Sequence, residues 1–268
     1  MPIPSIGSKY TRFHRTCCQT CSLSALCLPL ALDVQDMDQF NAIIRRRAPL
    51  KKGEALFCQG SSFSSVFAVR SGSLKQVTLD QNGEEQVTHF YLPSELVGLD
   101  SINEQRHPGY VIALERTSVC EIPFDHLDSL AEHIPQLRLQ LLRSMSKEMS
   151  DDRRMMRLLS RKIADERLAS FFINLAMRFQ RCGYSPYSFR LPMTRTDIGN
   201  YLGLAVETVS RILGRFQQQQ LMAIQGREIH ILDLEALNTL AETQGCQLDQ
   251  VRTQASLDAS VSSLDASV

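Results

Sequence analysis

The hydrophobic positions of the chain repeat with different spacings, and each spacing predicts a different kind of element. Between Leu142 and Ile163, seam positions are spaced alternately three and four residues apart. This spacing is typical of a helix that presents one apolar seam to a partner. We therefore predict one long helix from Pro135 to about Ile163. Its seam positions are Leu142, Met145, Met149, Asp152, Met156, Leu159 and Ile163.

One seam position carries a carboxylate in place of an apolar side chain. In a parallel pair of such helices, Asp152 would face its own copy. This pattern predicts a dimerisation helix that is weakened, so that another event must shift the balance towards the dimer. The alternative is an amphipathic helix that packs on its own domain, with Asp152 at the edge of the apolar face. The residues of the predicted dimer switch are Met145, Met149, Asp152, Met156 and Leu159.

Before the long helix, the pattern changes to short apolar strands broken by glycine. Asn82-Gly83 is a typical hairpin dipeptide. Many short strands with turns between them predict a small antiparallel barrel or jelly roll from Leu50 to Phe124. A short amphipathic helix is predicted ahead of it, over Asp33–Arg47. The predicted strands include Ala55–Phe57, Val66–Val69, Leu74–Leu79, Gln86–Tyr91 and Ser118–Ile122.

After the long helix, the pattern predicts a winged helix-turn-helix. A helical region to Arg181 and a turn-rich connector over Gly183–Pro192 precede two short helices joined at Gly203. Thr194 and Asp197 resemble a capping box at the start of the first short helix. A β wing is predicted over Met222–Leu232.

The second short helix directs four polar side chains outward near its N-terminus. Side chains of these types read base edges in DNA, so the helix is a candidate recognition helix. The alternative is the ordinary polar face of a small helical domain. The four residues are Glu207, Thr208, Ser210 and Arg211.

These elements predict an α+β chain with five segments. Residues 1–30 are a cysteine-rich segment, 31–134 the barrel and 135–164 the dimerisation helix. Residues 165–245 are the winged helix, and 246–268 are a small, polar, acidic tail, which predicts disorder.

Charge is unevenly spread over the 268 residues, although the formal net charge is zero. Between Arg153 and Glu242, 13 Lys and Arg residues stand against 8 Asp and Glu residues. This excess predicts a polyanionic partner for the C-terminal half, with Arg195 and Arg215 as candidate phosphate contacts. No apolar run reaches the length of a membrane span, and we predict a cytoplasmic protein.

Eight cysteines in a chain predicted to be cytoplasmic indicate metal or redox chemistry. Cys18, Cys21 and Cys27 are spaced so that three thiolates can reach one centre. Thiolates select zinc, copper(I) or iron–sulfur clusters, and the spacing is equally compatible with zinc and with iron–sulfur. Candidates for a fourth ligand are Cys17, Cys58 and Cys120, of which Cys17 directly adjoins Cys18.

The order of barrel, long helix and winged helix resembles the CRP/FNR superfamily. From Cys18 to about Leu240 the sequence is similar to its oxygen-sensing branch, the fumarate and nitrate reduction regulators (FNR/Anr-like). The stretches that carry the resemblance are Cys18–Cys27, Val119–Phe124, Met193–Gly203 and Val206–Arg211.

The resemblance implies a cyclic-nucleotide-binding-like barrel and a [4Fe–4S] cluster held by Cys18, Cys21, Cys27 and Cys120. It also implies a homodimer that binds double-stranded DNA at half-sites similar to TTGAT and contacts RNA polymerase through the loop around Gly83.

By the same resemblance, Glu207, Ser210 and Arg211 would read bases, and Val206 could contact a thymine methyl group. Two departures are Cys17, an additional thiol beside the first ligand, and Ala205, which stands where a capping hydroxyl is expected.

We therefore predict an oxygen-responsive transcription regulator of anaerobic metabolism genes rather than an enzyme. One alternative is a cyclic-nucleotide regulator, but the stretch that begins at Gly98-Leu99-Asp100 lacks the family's phosphate-cradling residues. The other is a zinc-stabilised regulator or enzyme. The six histidines are scattered, and the sequence offers no nucleophile–base constellation.

Overall fold

The computed structural model describes residues 18, 21–24, 26–29, 32–80 and 82–242. The interpretations of residues 1–15, of Cys17 and of the tail from Cys246 lie outside the described residues. The chain divides into two compact units. The first runs to Asp152 and includes Arg181–Gly183, and the second comprises Arg153–Gln180 and the chain from Tyr184 onward.

The first unit is built on antiparallel strands, as the glycine-broken pattern predicts. One sheet has the order β1-β8-β3-β6 and the other β2-β7-β4-β5. A core of side chains from both sheets fills the space between them, including Leu56, Phe67, Leu74 and Val111. The strands are β1 (Arg45–Arg46), β2 (Ala55–Phe57), β3 (Ser65–Ser71), β4 (Leu74–Leu79), β5 (Glu85–Tyr91), β6 (Leu96–Val97), β7 (Tyr110–Ala113) and β8 (Ser118–Pro123).

Gly72 shows why glycine punctuates these strands. It has a φ of +79°, and a Cβ at this position would lie 2.5 Å from the carbonyl oxygen of Arg116. Both conditions exclude a larger residue from the turn between β3 and β4. Together, these turns and the two facing antiparallel sheets confirm the predicted jelly-roll architecture.

A second core lies between the barrel and helices α1 (Val34–Ile43) and α2 (Phe124–His133). Phe40 of α1, Leu127 of α2 and Ile122 of β8 are buried in it, together with Leu137 from the first turn of α3 (Pro135–Arg161). Asp33 caps α1, because its side chain accepts a hydrogen bond from the Asp36 N–H. This core therefore joins the barrel, two short helices and the start of the long helix.

Helix α1 is shorter than the sequence predicts. It ends at Ile43, and Arg45 and Arg46 form strand β1, where they pair with Glu121 and Cys120 of β8. The apolar periodicity continues through Ile44, but the backbone that follows pairs with the edge of the sheet. Pairing with β8 therefore sets the C-terminal end of α1, which the local sequence pattern does not predict.

The second unit contains the remainder of α3, helix α4 (Ala164–Arg181) and a three-stranded sheet with helices α5 to α7. The predicted wing is strands β10 and β11, and the sheet has the order β10-β11-β9. Strand β9 lies in the segment predicted to be only a connector, so that prediction is wrong there. The elements are β9 (Ser188–Arg190), α5 (Arg195–Leu202), α6 (Val206–Gln218), β10 (Met222–Gln225), β11 (Glu228–Ile231) and α7 (Leu234–Glu242).

Helix α3 confirms the long helix predicted from the seam spacing, with one correction. It ends at Arg161, so Ile163 lies beyond the helix, just before α4. Within the described part of the chain, no helix is both long and apolar enough to cross a membrane.

Candidate cysteine site and nucleic-acid interface

Four cysteines surround one small cavity in the first unit. Cys18, Cys21, Cys27 and Cys120 line it, and its volume is about 30 Å³. The apolar lining comes from the second core, including Phe40, Ile44 and Ile122. By contrast, Cys58 is exposed on the surface and does not line the cavity. Two stretches of sequence about ninety residues apart thus contribute thiols to one place.

Cys120 is held by the rigid part of this site. It lies in β8, which pairs with β3 on one side and with β1 on the other. The adjoining Glu121 is buried and accepts hydrogen bonds from the Arg47 guanidinium and from Ser65 Oγ, the latter at 3.2 Å. Since a buried carboxylate without partners would be costly, these contacts fix the strand next to Cys120.

The other three cysteines lie on a loop held by local backbone turns. The Cys21 N–H donates to the Cys18 carbonyl at 3.2 Å, and the Cys27 N–H donates to the Leu23 carbonyl at 3.0 Å. Leu23 and Leu28 are buried, so the loop is also held by its apolar side chains.

Burial favours the protonated thiol at Cys27 and Cys120. It raises the pKa of Cys27 to about 12, an effect that the Leu28 backbone hydrogen bond opposes and the neighbouring cysteines reinforce. Burial also raises the pKa of Cys120, although the positive charges of Arg46 and Arg70 act in the opposite direction. Thiolates here therefore need a bound cation to stabilise them. Sequence patterns offered no reason to select Arg46 or Arg70.

The donor set suits a soft metal centre, since it offers thiols in an apolar surrounding with two arginines near one of them. Among the described residues, no group of three or more His, Cys, Asp or Glu side chains converges closely enough to hold a single metal ion. The cavity is large enough for one water molecule, which needs roughly 10–15 Å³. A group of several iron and sulfide ions needs more room than this cavity offers.

A cluster of polar and acidic side chains lies where α3 meets the barrel, within the first unit. Gln76 Nε2 donates to Asp100 Oδ2 at 2.6 Å, and the Tyr91 hydroxyl donates to Gln76 Oε1 at 2.5 Å. Burial, together with Asp100, Asp152, Glu95 and Asp151, raises the pKa of Glu148 on α3 to about 7. The carboxylates of Asp100, Asp152 and Glu95 therefore disfavour the ionised form of Glu148.

In the second unit, α5 and α6 form the predicted helix-turn-helix. Thr194 and Asp197 make the capping box, with the Asp197 N–H donating to Thr194 Oγ1 at 3.1 Å and the Thr194 N–H donating to Asp197 Oδ2 at 2.9 Å. Gly203 ends α5 with a φ of +63°, and Ala205 caps α6 without a side-chain hydrogen bond.

Helix α6 buries Val209, Ile212 and Phe216 and presents its other face to solvent. On that face Val206, Glu207 and Arg211 are exposed, whereas Thr208 and Ser210 are half-buried. Ser210 Oγ accepts a hydrogen bond from Arg195 Nη1 at 3.2 Å. Five candidate base-reading residues thus occupy the first two turns of one helix.

The two candidate phosphate contacts differ. Arg195 is exposed at the start of α5. Arg215 instead forms an ion pair of 2.5 Å with Asp165 of α4. Arg215 is thus paired with a carboxylate within the unit, whereas Arg195 donates to the neutral hydroxyl of Ser210, so Arg195 is the stronger candidate of the two for a phosphate contact.

The seam of α3 is exposed in the single chain. Leu142, Met149 and Met156 expose 57%, 55% and 70% of their surface, and Met145 and Leu159 expose 38% and 37%. Asp152 is also largely exposed, and partial desolvation together with the neighbouring carboxylates of Asp151 and Asp100 raises its pKa. An apolar stripe of this length on a helix surface is typical of an interaction surface.

Gly83 lies in the turn between β4 and β5, with a φ of +79°. The Asp80 carboxylate organises this turn by accepting from the N–H groups of Asn82 and Glu84, each at 2.8 Å. The hairpin predicted from Asn82-Gly83 is therefore present, and its tip is exposed.

Comparison with known proteins agrees with both units. The Cyclic nucleotide-binding domain family matches residues 47–133, and the Crp-like helix-turn-helix domain family matches residues 166–240. Among solved structures, FixK2 from Bradyrhizobium japonicum is similar with a TM-score of 0.68 and 29% identity, covering 74% of this chain and 97% of that one.

Curated relatives are more similar in sequence. The Transcriptional activator protein Anr of Pseudomonas protegens is 58% identical over 84% of this chain and 92% of its own length. The Fumarate and nitrate reduction regulatory protein of Yersinia pestis is 50% identical over 84% and 90%. The Anaerobic regulatory protein of Haemophilus influenzae is 49% identical over 88% and 91%.

The barrel, the long helix and the winged helix define a DNA-binding transcription regulator, not an enzyme. The chain belongs to the CRP/FNR family, and within it to the FNR/Anr-like regulators.

Proposed function

We propose that this protein is an oxygen-responsive regulator in which Cys18, Cys21, Cys27 and Cys120 hold a [4Fe–4S] cluster. The observation that carries the proposal is one cavity that the three cysteines of the loop line together with the distant Cys120. The names of the relatives, which include an anaerobic regulatory protein, support control of anaerobic metabolism genes. When bound, the cluster would supply a centre that oxygen can degrade. Because a bacterial regulator meets its DNA in the cytoplasm, we place the protein there.

The residues of this chain would have two tasks at the cluster. The positive charges of Arg46 and Arg70 lower the pKa of Cys120. The same charges would stabilise its thiolate when a cluster is bound. The loop would move outward to admit the cluster while β8 stays fixed. Residues 1–30 and the barrel would thus form the sensor.

Packing offers a route from the cysteine site to the dimerisation helix. Cys18, Cys27 and Cys120 pack against a core that also contains two buried residues, Ile134 just before α3 and Leu137 in its first turn. Movement of the loop would alter this shared core and so the first turn of α3. We propose that the exposed seam from Met145 to Leu159 then pairs with a second copy.

Asp152 would oppose this pairing, because two copies of its carboxylate would approach each other as water leaves the seam. An unsatisfied polar group of this kind costs about 1–3 kcal/mol, and a charged one more. Cluster assembly would have to offset this cost, which makes the dimer dependent on the cluster.

In the dimer, two copies of α6 would enter the major groove at a palindrome with TTGAT-like half-sites. Arg211 can donate to guanine O6 and N7, and Glu207 can accept from the cytosine of the same base pair. Val206 can contact a thymine methyl group, and Thr208 and Ser210 can bond either kind of base. The exposed turn at Gly83 is the surface we propose for contact with RNA polymerase.

The test is purification without oxygen, with iron, acid-labile sulfide and zinc measured on the same sample. We expect about four irons and four sulfides per chain and a broad visible absorption that bleaches in air. Substituting Ser for Cys18, Cys21, Cys27 or Cys120 should abolish the absorption.

Matched controls are Cys58→Ser, at an exposed thiol away from the cavity, and Cys17→Ser. Both variants should keep the cluster. Stoichiometric zinc without sulfide in the anaerobic protein would contradict the proposal.

A further inference from the structure

Asn41 lies between the two parts of the chain that carry the cysteines. Its side chain, on the last turns of α1, is half-buried beside the loop. Asn41 Oδ1 accepts a hydrogen bond from the Cys18 N–H at 3.3 Å and another from Arg46 Nη2 at 3.0 Å. One oxygen therefore links the backbone of the first cysteine to the guanidinium of an arginine on β1.

Both neighbours of this oxygen are donors that cannot accept. A backbone N–H and a guanidinium N–H each require a lone pair, so the amide oxygen, and not the amide nitrogen, must face them. The orientation of the Asn41 amide is thus fixed by its partners.

Arg46 connects this link to the rigid side of the cavity. In the pairing of β1 with β8, Arg46 is the partner of Cys120. Its positive charge also acts on the Cys120 thiol, whose pKa it lowers against the effect of burial. The residues Cys18, Asn41, Arg46 and Cys120 therefore form a continuous set of contacts from the cysteine loop to the fixed strand.

We infer that Asn41 is a positioning residue for the metal centre, which fastens the Cys18 end of the loop to the strand pair that carries Cys120. This inference rests on the proposed function, since positioning matters only if these cysteines bind a cluster together. Asn41 would act through the Cys18 backbone and through Arg46, the two partners of its side-chain oxygen. Losing its oxygen would remove one restraint on the Cys18 backbone and leave the backbone hydrogen bond of Cys27 to Leu23 in place.

The experiment compares the wild type with Asn41→Leu, which keeps the size of the side chain and removes the acceptor. Asn41→Asp keeps the acceptor and is the rescue variant. Gln39→Leu, at an exposed position of the same helix, is the matched control for loss of an amide.

Two quantities are measured for each protein. The first is the rate at which iodoacetamide alkylates Cys18 and Cys27 in the cluster-free protein, resolved by peptide mass spectrometry. The second is the rate at which the anaerobic absorption bleaches in air-saturated buffer. Circular dichroism checks folding.

We expect Asn41→Leu to raise the Cys18 alkylation rate and the bleaching rate by about 3- to 10-fold, the factor that one ordinary hydrogen bond represents. The Cys27 alkylation rate should stay unchanged. Asn41→Asp and Gln39→Leu should behave as the wild type.

Equal Cys18 rates in the wild type and Asn41→Leu would overturn the inference, as would equal acceleration of Cys18 and Cys27, which indicates general loosening. If Asn41→Leu fails to fold, Asn41→Ser, whose hydroxyl is too short to reach both partners, is judged by the same two rates. A wild type that contains no iron and sulfide would instead refute the proposed function, and the alkylation result would show separately whether Asn41 holds the loop.

Discussion

Replacing Glu148 by Gln should stabilise the first unit at neutral and alkaline pH. Glu148 lies on α3 among carboxylates of the same unit, and burial followed by repulsion from Asp100 and Asp152 raises its pKa from 4.5 to about 7. The adjoining Lys147 pairs with Glu95, with its Nζ 3.8 Å from that carboxylate. Burial and the nearby carboxylates thus disfavour the ionised form of Glu148 in the folded protein.

The size of the effect follows from the two pKa values. In the unfolded chain Glu148 ionises near 4.5, and in the folded protein near 7. The folded state consequently binds more protons between these values, so stability falls as pH rises from about 4.5 to 7 and levels off above that. The difference of about 2.5 pH units corresponds to about 3.4 kcal/mol at most. Since Glu148 is only partly buried, solvent screening should reduce this to about 1–3 kcal/mol.

Urea unfolding of the aerobic protein at pH 5, 6, 7 and 8 measures this directly. Relative to the wild type, Glu148→Gln should gain little at pH 5 and about 1–3 kcal/mol at pH 8. Glu132→Gln, at an exposed carboxylate on α2, is the matched control and should show no such trend. A difference between Glu148→Gln and the wild type that is the same at pH 5 and pH 8 would refute the reasoning.

Two further predictions concern the dimer and DNA. Asp152→Ala should dimerise in air without a cluster, because the substitution removes the opposing carboxylates. Sedimentation of the aerobic protein measures this, with Asp151→Ala as the control. A monomeric Asp152→Ala in air would contradict the prediction. Arg211→Ala should lose about 1–3 kcal/mol of binding and its preference at the single G·C pair of a TTGAT-like half-site. Binding to half-sites with every base at that pair, at fixed salt, measures this. Arg195→Ala is the comparison, and it should weaken binding but keep the preference for G·C at that pair. An Arg211→Ala protein that still prefers G·C would show that another residue reads the pair.

The sequence by itself determined most of the elements, because their signals are local. The seam spacing predicted α3 from Pro135, Asn82-Gly83 predicted the hairpin between β4 and β5, and Thr194 with Asp197 predicted the cap of α5. Each rests on a period, a turn or a cap that a few neighbouring residues set. Resemblance to a family then named the candidate ligands and base-reading residues, whose roles stay predictions.

Only the tertiary structure decided which residues that are distant in the sequence lie close together in space. Pairing of β1 with β8 ended α1 early and set Arg46 opposite Cys120. It also set Asn41 between Cys18 and Arg46, and the packing of α3 on the barrel set Glu148 among carboxylates. Strand β9 was missed because its partner is β11, about forty residues further along. Such contacts, and the burial that shifts a pKa, depend on residues far apart in the chain, and no local pattern encodes them.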